Sequence, residues 1–199
     1  MQPGHNAAIA APRLLDAGKR RRLAEIIARR SLLRGGAIKL VSGATTSFYF
    51  DMKLTLFEPE AANLIGELVL EALRDEPAEY VGGLELGAVP IATAVAQKSF
   101  GVRPLQGFFV RKEPKGHGTK RLIEGIAEPG SMRGRPVVLL EDVTTTGGSA
   151  LKALAALREV GAEVRLAITL VDRLEGATEN LAKEGLRLLP LLTTRDFTL

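Results

Sequence analysis

Residues 137–150 read VVLLEDVTTTGGSA. Four apolar residues run into Glu141 and Asp142, and three threonines, two glycines and a serine follow. A short apolar run bounded by turn residues predicts a strand buried on both faces, here 136–142. From Ser149 to Val160, Leu151, Leu154, Leu157 and Val160 recur at helical spacing, and Gly161 closes the run. The stretch is therefore a strand, a polar turn and a helix.

The same alternation extends outward. A helix is predicted over Pro59–Leu73, then a strand, a glycine-rich turn and a helix over 80–96. Strands follow at 104–112, 122–127, 163–172 and 186–192. Strands alternating with helices make an α/β chain with a mostly parallel central sheet flanked by helices. Before it, Asp16–Leu33 reads as a basic amphipathic helix broken by Gly35-Gly36, followed by strands at 37–41 and 47–54. Residues 1–15 read as a disordered leader, and 16–199 as one domain.

Composition narrows the classes. The chain has 199 residues, 46% hydrophobic and 25% charged, which suits a single core. It has no Trp, so the core is aliphatic, and no Cys, which excludes disulfides and thiolate metal sites. No apolar run reaches the roughly 20 residues that span a bilayer. Neither a membrane partner nor a secretory signal is expected, and a reducing cytoplasm is the expected setting. The net charge of +4 is gathered at Lys19–Arg22, Arg29, Arg30 and Arg34, and again in RKEPKGHGTKR (111–121). The first group reads as the solvated face of a packed helix rather than a nucleic-acid surface.

In parallel sheets, ligands sit beyond the carboxyl ends of strands. Glu141 and Asp142 stand at such an end, and burying both without partners would cost several kcal/mol, so a polar cleft is expected there. The turn TTTGGS supplies hydroxyls and close backbone approach, and the helix behind it points free N–H groups and its positive dipole end at the turn. That arrangement binds a phosphate. Neither GxxxxGK[ST] nor GxGxxG after a strand occurs, so ATP-type and dinucleotide loops are disfavoured. Acids cannot hold phosphate, but they accept from sugar hydroxyls or contact a cation and its waters. A ribose 5-phosphate satisfies both halves. The plainer alternative is an ordinary turn with a hydroxyl helix cap.

VVLLEDVTTTGGSA resembles the PRPP-binding motif of the type I phosphoribosyltransferases (PRPP is 5-phosphoribosyl 1-diphosphate): apolar strand, two acids, Thr-rich turn, Gly and Ser/Thr. The resemblance implies that family's fold with a small N-terminal hood, here mainly 16–55. It implies PRPP contacts from Glu141, Asp142, Val143, Thr144, Thr145, Thr146, Gly147, Gly148 and Ser149.

Other stretches are similar to the orotate phosphoribosyltransferases. RKEPKGHG matches their catalytic loop, which implies diphosphate contacts from Arg111, Lys112, Lys115 and His117. It also implies a homodimer in which the 111–121 loop is shared between subunits. LVSGATTSFYFDMK (40–53) matches through Ser42, Gly43, Tyr49, Asp51 and Lys53, with Val41 where some members have lysine. GGLELGAVPIA (82–92) resembles the diphosphate turn, with Leu86 at another such position. Arg173, in LVDRLEG (170–176), stands where the family pairs an arginine with the orotate carboxylate. The implied orotate contacts are Thr145, Arg173, Tyr49, Phe50 and Lys53. The implied catalytic residues are Lys115, His117 and Asp142, with Mg2+ as cofactor, held by Asp142 directly or through water. The implied reaction joins orotate to PRPP, giving orotidine 5′-monophosphate and diphosphate on the route to UMP. The rival expectations are a transferase for another nucleobase and a PRPP-binding regulator.

Overall fold

The computed structural model describes residues 15–39, 45–113 and 121–199, with 37–39 as backbone alone. Residues 1–14 of the expected leader, and Val41, Ser42, Gly43, Lys115 and His117, lie outside the described residues.

One six-stranded sheet organises the chain. Its strands are β3 (Tyr80–Leu84), β4 (Gln106–Val110), β5 (Ile123–Glu124), β6 (Pro136–Thr144), β7 (Glu163–Asp172) and β8 (Arg187–Thr193). Their order is β5-β4-β3-β6-β7-β8. All pairs are parallel except β4 with β5. The segment Val137–Leu140 shows why this needs a continuous apolar run. Its side chains alternate between two cores, as a period of two requires. Val138 and Leu140 join the cluster under α1 (Ala17–Arg30), α3 (Pro59–Ala72) and α4 (Ala88–Ser99). Val137 and Leu139 join the cluster under α5 (Gly148–Glu159) and α6 (Ala177–Lys183). Helices therefore cover both faces, as the sequence predicts. No helix among the described residues is long and apolar enough to cross a membrane.

The N-terminal part departs from the sequence reading in two places. The first helix ends at Ser31, whose N–H donates to Ile27 O, and Leu32 already starts β1 (Leu32–Lys39). Gly35 and Gly36 do not break the helix. They lie inside β1 at φ +96° and +72°, where its antiparallel register with β2 (Thr45–Phe50) shifts between Arg34 and Ile38. An irregular register needs the left-handed backbone that glycine supplies. The strand expected over 47–54 stops at Phe50. Lys53–Leu56 form a helical turn, α2, because the Thr55 hydroxyl is drawn inward to Ser31 Oγ at 2.6 Å.

The basic face of α1 is partly neutralised against neighbouring elements. Arg22 makes two hydrogen bonds to Glu60, at 2.6 and 2.7 Å, and Arg20 Nε donates to Leu191 O at 2.7 Å. These side chains dock the helix.

Candidate active site

The chain forms β3, adds β4 on one side, and returns to place β6 on the other. The strand order thus reverses between β3 and β6, and a crevice opens there beyond the carboxyl ends of the strands. It is a cleft of about 240 Å³, with Glu85, Leu86 and Gly87 from β3's end, Glu141 and Asp142 from β6, and Lys53 and Lys112 at its rim. A larger hollow of about 420 Å³ lies elsewhere, between α3 and α4. There Lys19 and Lys98 both pair with Glu67, at 3.0 and 3.1 Å, so its charges are spent on each other.

Both acids resist ionisation. Burial, then repulsion from Asp142, pushes the Glu141 carboxyl up to about 8, and Lys112 only partly offsets this. Burial also raises Asp142, opposed by the Val143 N–H that donates to its Oδ1 at 2.8 Å, and by Lys53 and Lys112. Two such carboxyls seek a cation or hydroxyl donors. A pH dependence follows for the free protein. Below pH 4.5 the folded and unfolded chains both hold the Glu141 proton. Between there and about pH 8 the unfolded chain releases it and the folded chain keeps it, so stability falls as pH rises. Glu141→Gln removes this dependence. Its melting temperature is expected to rise progressively above that of the wild type between about pH 5 and pH 8.5. Parallel melting curves across that range would contradict the assignment.

Beyond the acids, β6 runs two residues further than its sequence suggests, through Thr144. Thr144 is 2% exposed, and its hydroxyl has no hydrogen-bond partner among the described residues. Val143 packs against the core, so only its backbone faces the turn. The exposed hydroxyls of the cradle belong to Thr146 and Ser149, with Thr145 half-buried. Gly147 sits at φ +86° ahead of α5, and no side chain caps that helix. The first N–H groups of α5 are therefore left for an anion. Asn180 of α6 donates to Thr146 O at 3.0 Å and pins the cradle.

Arg173 lies one strand over. Asp172 is the register partner of Thr144, and the Arg173 N–H donates to Thr144 O at 2.9 Å. Its guanidinium stands over the Phe48 ring, 4.6 Å from the centroid, and reaches Thr46 Oγ1 at 3.4 Å. Alternation along β2 puts Thr46, Phe48 and Phe50 on one face and Tyr49 on the other. Two of the expected base contacts therefore lie on different faces of β2. Tyr49 projects away from Arg173. Phe50 is 4% exposed and packs edge-on against Phe48 and Phe197 in the core. Phe48 stands beside Arg173 instead. A third expected base contact, Lys53, pairs with Asp51 at 2.5 Å and lines the cleft with the two acids.

A family model for the phosphoribosyl transferase domain matches residues 55–187. This chain belongs to that family. It is 53% identical over 179 residues to the orotate phosphoribosyltransferase of Rhodopseudomonas palustris (strain BisB5), covering 89% of this chain and 95% of that one. A crystal structure of the Mycobacterium tuberculosis H37Rv orotate phosphoribosyltransferase with Fe(III) dicitrate superposes with a TM-score of 0.79 at 41% identity, covering 91% of this chain and 99% of that one. Another structure of that enzyme, with PRPP, gives 0.73 at 36% identity, covering 91% and 92%.

The turn read from the sequence as the diphosphate turn also makes contacts that the sequence reading did not foresee. A Cβ built on Gly87 would lie 2.5 Å from the Asp142 carboxyl, so the β3–α4 turn touches that acid. Glu85 Oε1 accepts from the Lys112 N–H at 2.8 Å, which ties the root of the 111–121 loop to the same turn. The Glu85–Leu86 peptide is cis, and Leu86 is 58% exposed at the cleft. The available signal for Gly87 was a glycine at a strand-to-helix turn. What it faces is not written locally.

Proposed function

We propose that the protein is an orotate phosphoribosyltransferase, moving ribose 5-phosphate from PRPP to orotate with release of diphosphate. The observation that carries this reading is one line of strand ends. The paired acids and the anion cradle of β6 lie one backbone hydrogen bond from the largely buried guanidinium just past β7. Sugar, phosphate and a carboxylate-bearing base thus find their partners side by side.

PRPP lies with its 5-phosphate on the N–H groups and hydroxyls of 144–149 and its ribose hydroxyls at Glu141 and Asp142. Orotate meets Arg173 through its carboxylate, since a guanidinium fork matches that group, with Phe48 and Thr145 beside it. The bond at the anomeric carbon breaks with positive charge on the ribose, which the acids favour, and the diphosphate leaves strongly charged. Orotate N1 is already acidic, so no dedicated base is required. Arg111 and Lys112, with Lys115 and His117 of the loop, neutralise the leaving oxygens. The residues fit Mg2+. Burial disfavours ionisation of both cleft carboxyls, so a cation beside them would offset the cost of their charge. That suits an ion resting on few carboxylates, waters and substrate oxygens. Held near Asp142, it would supply charge neutralisation of the diphosphate. A homodimer sharing the 111–121 loop, a cytoplasmic setting and a hood built from 16–55 belong to the same proposal.

The test mixes protein, Mg2+, PRPP and orotate and follows loss of orotate absorbance, with uracil and adenine as controls. Turnover only with orotate is expected, and none would overturn the reading. Lys115→Ala is expected to lower kcat about 100-fold, as loss of one transition-state charge partner does, while PRPP binding weakens far less. Unchanged turnover would remove Lys115 from the chemistry.

A further inference from the structure

The side chain of Arg173 keeps only 9% of its accessible surface. A guanidinium is a permanent cation with five N–H donors, so burying it calls for an acid or a full set of acceptors. Here the set is incomplete. Nη2 is 2.8 Å from Glu175 Oε1 and 3.4 Å from Thr46 Oγ1. Nε is buried and has no hydrogen-bond partner among the described residues. The fork that could take a carboxylate side-on is thus half used, by a carboxylate of the protein itself.

The turn between β7 and α6 is built to bring that acid back. Asp172 Oδ1 accepts from the Leu174 N–H at 2.9 Å, and Leu174 adopts φ +60°, which a leucine takes up only when its surroundings impose it. The chain folds over itself, and Glu175 arrives on the guanidinium two residues before it. Glu175 is 43% exposed, so it can exchange Arg173 for water at small cost.

We propose that Glu175 is a place-holder for the substrate carboxylate, neutralising Arg173 in the empty site and yielding it when orotate enters. The inference rests on reading Arg173 as the carboxylate receptor. A planar substrate carboxylate displaces Glu175 because it can engage two donors at once, including the Nε that has no partner among the described residues, where Glu175 engages one nitrogen. Affinity for orotate is then the difference between two carboxylates competing for one cation. Glu175 lowers it while keeping a buried charge from standing alone. Glu175 is a specificity-setting residue outside the reacting atoms.

Two variants separate the possibilities. Glu175→Gln keeps shape and hydrogen-bonding oxygen but removes the competing charge. Its orotate KM at saturating PRPP, and its orotate Kd by calorimetry, are expected to fall three- to tenfold, with the PRPP KM moving less than twofold. An orotate KM that rises or stays level overturns the proposal, because Glu175 would then orient Arg173 or do nothing to it. Arg173→Gln tests the underlying reading. If it leaves the orotate KM unchanged, Arg173 is not the carboxylate receptor and the place-holder falls with it. If it raises the orotate KM while Glu175→Gln has no effect, only the place-holder falls.

Discussion

Gly87→Ala is expected to cut turnover at least 100-fold while leaving the protein folded. A methyl group there would sit 2.5 Å from Cγ and Oδ1 of Asp142, well inside contact distance. Asp142 cannot retreat freely, since its Oδ1 accepts from the Val143 N–H and the residues on either side of it are paired to β7. The carboxylate or the β3–α4 turn must therefore shift by about an ångström, and a displacement of that size in a positioned group costs on the order of 100-fold. The fold should tolerate the change, because Gly87, at the N-cap of α4, has φ −56° and ψ −40°, a conformation alanine adopts without strain. Steady-state kinetics with orotate and PRPP, beside a melting curve, check this. Gly107→Ala is the control, because its Cβ would meet Ala92 O at an ordinary 3.5 Å. Turnover within threefold of wild type in Gly87→Ala would remove the steric coupling, and a large fall in melting temperature would make the loss a folding effect.

Arg173→Ala is expected to lower kcat/KM for orotate by about 100- to 1000-fold. Truncating one partner of a buried, hydrogen-bonded charge pair costs about 2–5 kcal/mol, and in the proposed function the abandoned partner is the substrate carboxylate. Arg173→Lys should recover little, because an ammonium neither forks nor stacks on a ring as the guanidinium does over Phe48. The same truncation removes the cation–π contact, worth about 0.5–2 kcal/mol, so the melting point should drop slightly. Phe48→Leu separates these terms, losing the ring platform while keeping the charge. PRPP affinity should be almost unchanged in Arg173→Ala. An equal loss of PRPP binding would assign Arg173 to the framework of the cradle.

Much of the parallel sheet was legible because its signals are local. Val137–Leu140 must be apolar on both faces, and the acids that follow must stand at an open end. The polar turn and the α5 periodicity complete a unit that is readable in fourteen consecutive letters. The strand and helix assignments failed where a distant residue decided. Ser31 reaches Thr55 and turns 53–56 into a helix. Gly35 and Gly36 fill an irregular strand register. Among the aromatics, the letters Phe48, Tyr49 and Phe50 say only that neighbours face opposite ways. Which face meets Arg173 depends on how β2 lies against β7's turn.

By itself the sequence determined the strand–turn–helix units, the sheet's parallel character, and the two acids and the hydroxyl- and glycine-rich turn at a strand end. Each follows from periodicity, apolar runs and backbone chemistry within a few residues. The tertiary structure alone decided which groups share the site: Gly87 against Asp142, Phe48 rather than Tyr49 beside Arg173, and Glu175 on the guanidinium. Those neighbours meet through strand order and through side-chain direction in a folded turn. Both are set by packing over the whole sheet, and no local stretch of sequence encodes them.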